Sequence, residues 1–126
     1  MIKLTYCLHR LPSLTREEFL RTWREDHAPL VKAAAPHLGI LRYVQSHTED
    51  NAMMAGGAEA RGIRHGDGED YDGVAERWFA DDAFDAPNAN EEAQKHGRIL
   101  AEDEARFIDF ARSRIFLTRE NVVIEG

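Results

Sequence analysis

The sequence predicts an α+β fold, a single four-stranded sheet with two helices on one of its faces, and three observations point to it. Apolar residues alternate with period two at the start of the chain, and short β-branched and aromatic runs recur near residues 40, 74 and 115. Two longer stretches instead carry their apolar residues at spacings of three and four, the period of a helix packed on one side. The segments follow the order strand, helix, strand, strand, helix, strand, in a chain of 126 residues with room for one core and no second. One domain over 1–126 is expected.

Each element has its own warrant. Ile2, Leu4, Tyr6 and Leu8 fall on one face of the first strand, and Pro12 and Ser13 close it. Thr15 followed three residues later by Glu18 forms a capping box, which starts a helix whose Phe19, Leu20, Trp23, His27, Leu30, Val31 and Ala34 share a face. Pro29 lies inside that pattern. A proline there removes one backbone bond and crowds the preceding turn, so either a kink near Asp26 to Ala28 or two helical pieces meeting there is expected. Pro36 and Gly39 are expected to stop the helix, and Ile40 to His47 reads as the second strand.

From Thr48 to Tyr71 the chain is rich in glycine and acids and has no sustained period, so 48–70 reads as a long loop or mobile lid. Val74 to Phe79 is the third strand. A second helical region from Asp81 to about Arg112 is interrupted at Pro87, and its Glu102, Asp103 and Glu104 read as a solvated face. Ile115 to Thr118 is the fourth strand, with Val122 to Ile124 a candidate short terminal strand.

This order is the ferredoxin-like βαββαβ pattern with an antiparallel-type four-stranded sheet. Right-handed crossovers are expected to set strands one and three side by side and parallel, with two and four at the edges. The sheet face away from the helices carries large apolar groups, which left open would invite aggregation, so a homodimer that covers it is expected.

Composition narrows the function. With 16 basic and 23 acidic residues the formal net charge is −7, which disfavours nucleic acid and anionic membrane surfaces as partners. Cys7 is the lone cysteine, so no intramolecular disulfide and no cysteine-based zinc cage can form, and a cytoplasmic location is expected. No apolar run is long enough to span a bilayer, and Lys3, His9 and Arg10 interrupt the place where a signal peptide needs its apolar stretch. The six histidines are scattered without a His-x-His or His-x3-His pair and read as having no local carboxylate at ligand spacing, so no metal is expected. No G-x-G-x-x-G or Walker sequence points to a nucleotide or flavin, so no cofactor is expected.

Several stretches match a known pattern: Phe19-x3-Trp23-x3-His27-Ala28-Pro29-Leu30-Val31, Leu38-Gly39 with Arg42-Tyr43-Val44-Gln45, Tyr71 to Phe79, and Asp103-Glu104-x2-Phe107-Ile108-Asp109. In these the chain resembles the EthD-domain proteins of the dimeric α/β-barrel superfamily. The resemblance covers most of the chain outside the 48–70 stretch. It implies a ferredoxin-like protomer, two of which pack their sheets into a barrel, with a largely apolar cavity in each. Members are associated with degradation of fuel ethers, and others look like tailoring enzymes that dehydrate or cyclise aromatic polyketides.

Among individual residues His27 is the foremost chemical candidate. It lies one turn after Trp23 on the apolar stripe, and an imidazole suits proton transfer near neutral pH. The competing reading is a satisfied core histidine that bonds a carbonyl freed by Pro29. Tyr43, Gln45 and His47 share one face of strand two, where they either line a cavity or face solvent. Glu76 and Trp78 share a face of strand three while Arg77 takes the other, so one charge must point inward and needs a partner, expected in an ion pair across strands or at the dimer seam. Taken with the resemblance, these residues are expected to serve a cofactor-independent acid/base enzyme, with His27 and Tyr43 as catalytic groups. Trp23, Gln45, His47, Glu76 and Trp78 are its substrate contacts, and its substrate is a small apolar or aromatic, polyketide-like compound. A non-catalytic ligand-binding or accessory protein supporting a partner oxidase is the alternative, and a cofactor-free oxygenase a third.

Overall fold

The computed structural model describes residues 1–88 and 90–126. Four strands, β1 (Ile2–Leu8), β2 (Arg42–His47), β3 (Gly73–Phe79) and β4 (Arg114–Thr118), form one sheet in the order β2-β3-β1-β4. The α+β, ferredoxin-like arrangement is therefore as expected, with β2 and β4 at the edges. One expectation is corrected: β1 and β3 are neighbours but antiparallel, as are all the paired strands. The crossover from β1 to β2 leaves a gap one strand wide, and β3 enters it by folding back from β2, so it must run against both.

The first helical region has three parts, α1 (Arg16–Arg21), a π-helical segment (Thr22–His27) and α2 (Ala28–Leu38). The capping box is present: the Glu18 amide donates to Thr15 Oγ1 at 3.1 Å and the Thr15 amide to Glu18 Oε1 at 3.0 Å. The kink expected near Asp26 takes the form of the π turn, in which the Ala28 amide reaches back to the Trp23 carbonyl. Widening the turn ahead of Pro29 relieves the crowding that a proline ring causes in a regular helix. Pro36 does not stop α2; the helix runs on to Leu38 and ends where Gly39 adopts φ 73°.

The stretch expected to be a loop contains a helix, α3 (Ala52–Arg61), capped by Asn51, whose Oδ1 accepts from the Met54 amide at 2.9 Å. It buries no residue, so the apolar periodicity that reveals a packed helix is absent from it. The second long helix, α4 (Glu91–Glu104), is shorter than the region expected; Phe107 and Ile108 follow it in buried, non-helical chain, then a 3₁₀ turn at Phe110–Arg112. Val122 to Ile124 forms no strand and is exposed.

Strand alternation divides the side chains between two sheet faces. Ile2 and Phe79 pack with Val31, Ala34 and Leu100 of α2 and α4; Leu8 and Ala75 pack with Phe19, Trp23 and Phe107. The helix-side face thus carries Ile2, Leu4, Tyr6 and Leu8, with Ala75, Arg77 and Phe79, and with Tyr43, Gln45 and His47. The outer face carries Lys3, Thr5 and Cys7 with Val74, Glu76 and Trp78. Gly73 marks the closest approach of helix and sheet: a β-carbon there would stand 2.5 Å from the Trp23 ring.

Candidate functional site

The π segment presents Trp23 and His27 to the sheet, four residues apart and both buried. His27 Nδ1 lies 2.8 Å from Asp103 Oδ2, and its Nε2 lies 3.5 Å from Glu104 Oε2. These carboxylates end α4. Asp103 is anchored from outside by Arg106, whose Nη2 and Nε donate to Oδ1 at 2.6 and 2.9 Å. Glu104 is anchored from inside by Arg77 of β3, whose Nη2 donates to Oε2 at 3.1 Å. An array Asp103, His27, Glu104, Arg77 therefore runs from the surface into the core.

Arg77 supplies the reason. Only 8% of it is exposed, and a guanidinium there must find an anion, so Glu104 is drawn inward and left 7% exposed. The expectation that Asp103 and Glu104 belong to a solvated face is overturned. The inward charge on strand three is paired, but its partner comes from α4 and not from a neighbouring strand or a second subunit. The Arg77 guanidinium also lies over the Tyr6 and Tyr43 rings, at 5.4 and 5.9 Å.

A second set of bonds fixes the β2 residues. Trp23 Nε1 donates to Tyr43 Oη at 3.2 Å and Gln45 Nε2 to the same oxygen at 3.1 Å. Gln45 Nε2 also reaches the Trp23 carbonyl at 2.9 Å, the oxygen that accepts the π-turn bond. His47 Nε2 is 2.9 Å from Gln45 Oε1, and its ring stacks on Trp23 at 4.9 Å. Because Tyr43 Oη accepts two bonds, its own proton is left to donate.

These surroundings shift acidities. Burial drives the Asp103 carboxyl upward, but bonds from His27 and Arg106 outweigh it and hold the group below the usual aspartate value. Burial raises the Tyr43 phenol, against hydrogen bonding by Gln45 and the charge of Arg77. Tyr6 is raised by burial and then by Glu104. His47 is lowered, first by burial and then by Arg24.

His27, Trp23, Tyr43, Gln45 and His47 are thus brought together, whereas Glu76 and Trp78 lie across the sheet from them. Glu76 there accepts from Lys3 Nζ at 2.6 Å, and Trp78 donates to Glu120 at 2.7 Å beneath the cations of Lys3 and Arg42. Sequence reasoning left out Arg77, Asp103, Glu104 and Tyr6 as site members. The signal available for them was an arginine in a central strand, which demands a buried acid.

The apolar chamber implied by the resemblance is almost closed. Between the π segment and the sheet, among Tyr6, His27, Tyr43, Arg77 and Glu104, the space is about 10 Å³, room for about one water. Arg77 borders it, and its Nε is buried without a hydrogen-bond partner among the described residues. Outside lies a groove of about 480 Å³ between α2 and β2, lined by Ala28, Val31, Ala35, Ile40 and Leu41. Tyr43 lines both spaces.

A family profile described as the EthD domain matches residues 11–111. The chain is similar to a crystal structure of an ethyl tert-butyl ether d (ethd) family protein from Bacillus halodurans C-125, with a TM-score of 0.58 and 16% identity over 96% of this chain and 99% of that one. At that identity the likeness supports the fold alone. No curated protein matches the chain.

Proposed function

The chain belongs to the EthD-domain family, and on that premise we propose that it is a small-molecule enzyme performing acid/base chemistry, a dehydration or cyclisation, on an aromatic or polyketide-like substrate. The observation that carries the proposal is the Asp103–His27 pair, with the buried imidazole's Nε2 3.5 Å from Glu104 Oε2 beside the small space that Arg77 and Tyr43 also line. Asp103 accepts the Nδ1 proton and so holds the imidazole in the tautomer whose Nε2 has a free lone pair. That nitrogen takes a proton from carbon beside a carbonyl. Tyr43 Oη and the Arg77 guanidinium receive the developing oxyanion, and the imidazolium returns the proton to a departing hydroxyl, which leaves as water. The chain's own groups supply every proton acceptor and donor in this sequence, so no cofactor is invoked.

The groove between α2 and β2 is the proposed approach for substrate: its volume falls in the range of small-molecule sites, and Tyr43 divides it from His27. Since the inner space holds about one water, binding requires Tyr43 to swing aside. Trp23, Gln45 and His47 position Tyr43 and bound the approach. Glu76 and Trp78 are better explained as outer-face ion-pair and interface residues. That face, with Val44, Val74 and a half-exposed Phe116, is the surface through which we propose a homodimer forms. A free Cys7 suits the cytoplasm, and among the described residues no helix is long and apolar enough to cross a membrane.

The test is turnover. Purified protein incubated with a panel of aromatic polyketides is expected to convert at least one, and His27→Ala, folded by circular dichroism, to lose about 10²–10⁴-fold in rate. Conversion at the wild-type rate by that variant overturns the assignment. The nearly solid interior favours one second reading, a ligand-binding or accessory protein supporting a partner oxidase. Ligand bound in the groove without product from the purified protein would establish it.

A further inference from the structure

We propose that His37, Glu92 and His96 form a site for a divalent transition metal of the Zn²⁺ type, joining the end of α2 to the start of α4. The ring nitrogens of the two histidines and a carboxylate oxygen of Glu92 all lie within 4.8 Å of one another. The His37 and His96 rings stack nearly parallel, centroids 4.4 Å apart with planes 7° apart, and His96 Nε2 is 3.7 Å from Glu92 Oε2.

The arrangement is built from helices. Glu92 and His96 are one turn apart on α4, and Asn90 caps that turn by accepting from the Glu92 and Ala93 amides at 2.8 and 3.2 Å. His37 stands in the last turn of α2, which packs against α4 through Val31, Ala34 and Leu100. Two imidazoles and one carboxylate are a donor set suited to Zn²⁺ and poorly suited to Ca²⁺ or Mg²⁺, with a fourth position left for water. Ligand atoms of a tetrahedral Zn²⁺ stand about 3.3 Å apart, so closing the site needs movements of about 1.5 Å or less and a turn of the stacked rings, with His37 and Glu92 exposed and His96 half-buried. The sequence reading, which expected no metal, passed over the Glu92-x3-His96 carboxylate–imidazole pair, and the third ligand comes from another helix. The site lies at the far end of the helix pair that holds His27 and Asp103, and a bound ion would pin the register of that pair.

The experiment is titration of tag-free, chelator-treated protein with ZnCl₂ by calorimetry, followed by thermal unfolding. The expected result is one Zn²⁺ per chain and a rise in Tm of about 5 °C at saturation. His37→Ala, His96→Ala and Glu92→Gln are each expected to weaken binding about tenfold or more, with His65→Ala unchanged. Absence of binding by the wild type, or equal binding by His37→Ala and His96→Ala, overturns the proposal.

Discussion

Asp103 and Glu104 differ in what they cost and supply. Glu104 neutralises a buried guanidinium, and its loss would leave Arg77 without a counter-charge, the costly way to break an interior pair. Asp103 is more accessible and orients His27 from the rim. Its carboxyl titrates below the ordinary aspartate value, so the unfolded chain takes up the proton first. The stability it contributes is present above about pH 4 and disappears as pH falls through the depressed folded value. Asp103→Asn is accordingly expected to cost about 1–2 kcal/mol at neutral pH and almost nothing in strong acid, measured by urea unfolding across that range. A difference from wild type that does not shrink on acidification would mean the carboxylate charge is not what His27 and Arg106 hold.

At the scale of elements, the π segment and Gly73 act together. The wide turn pushes Trp23 toward β3, and only a residue without a β-carbon can stand opposite it, since any other would also come within 3.0 Å of the Ser46 carbonyl. Gly73→Ala is expected to destabilise the fold by about 1–3 kcal/mol, and its Trp23 fluorescence to change with the displaced ring. An alanine variant as stable as wild type would show that the contact relaxes freely. The sequence made the amphipathic elements legible: the alternation of β1, the Thr15–Glu18 cap and the disturbance ahead of Pro29 each follow from local rules. It hid α3, which buries nothing and carries Gly56 and Gly57 mid-helix, so neither periodicity nor propensity announces it. It also hid the acids at the end of α4, because a run of charges looks solvated until the strand arginine opposite it is placed.

For the whole molecule, topology decides which residues meet. Strand order and alternation put Tyr43, Gln45, His47 and Arg77 under the helices and Glu76 and Trp78 on the other side, a division the sequence could state only as two parities. The outer face, with its exposed Phe116 and cation-covered Trp78, is expected to pair with a second copy; sedimentation should give twice the chain mass, and a lone chain at all concentrations would contradict the pairing. Function then rests on whether His27 carries a proton or braces two helices. Long-range ¹H–¹⁵N correlation of the imidazole at neutral pH tests this most directly. A carrier oriented by Asp103 should have its proton on Nδ1 and a bare Nε2, while a ring that also holds a proton on Nε2, donated to Glu104, would contradict the acid/base assignment.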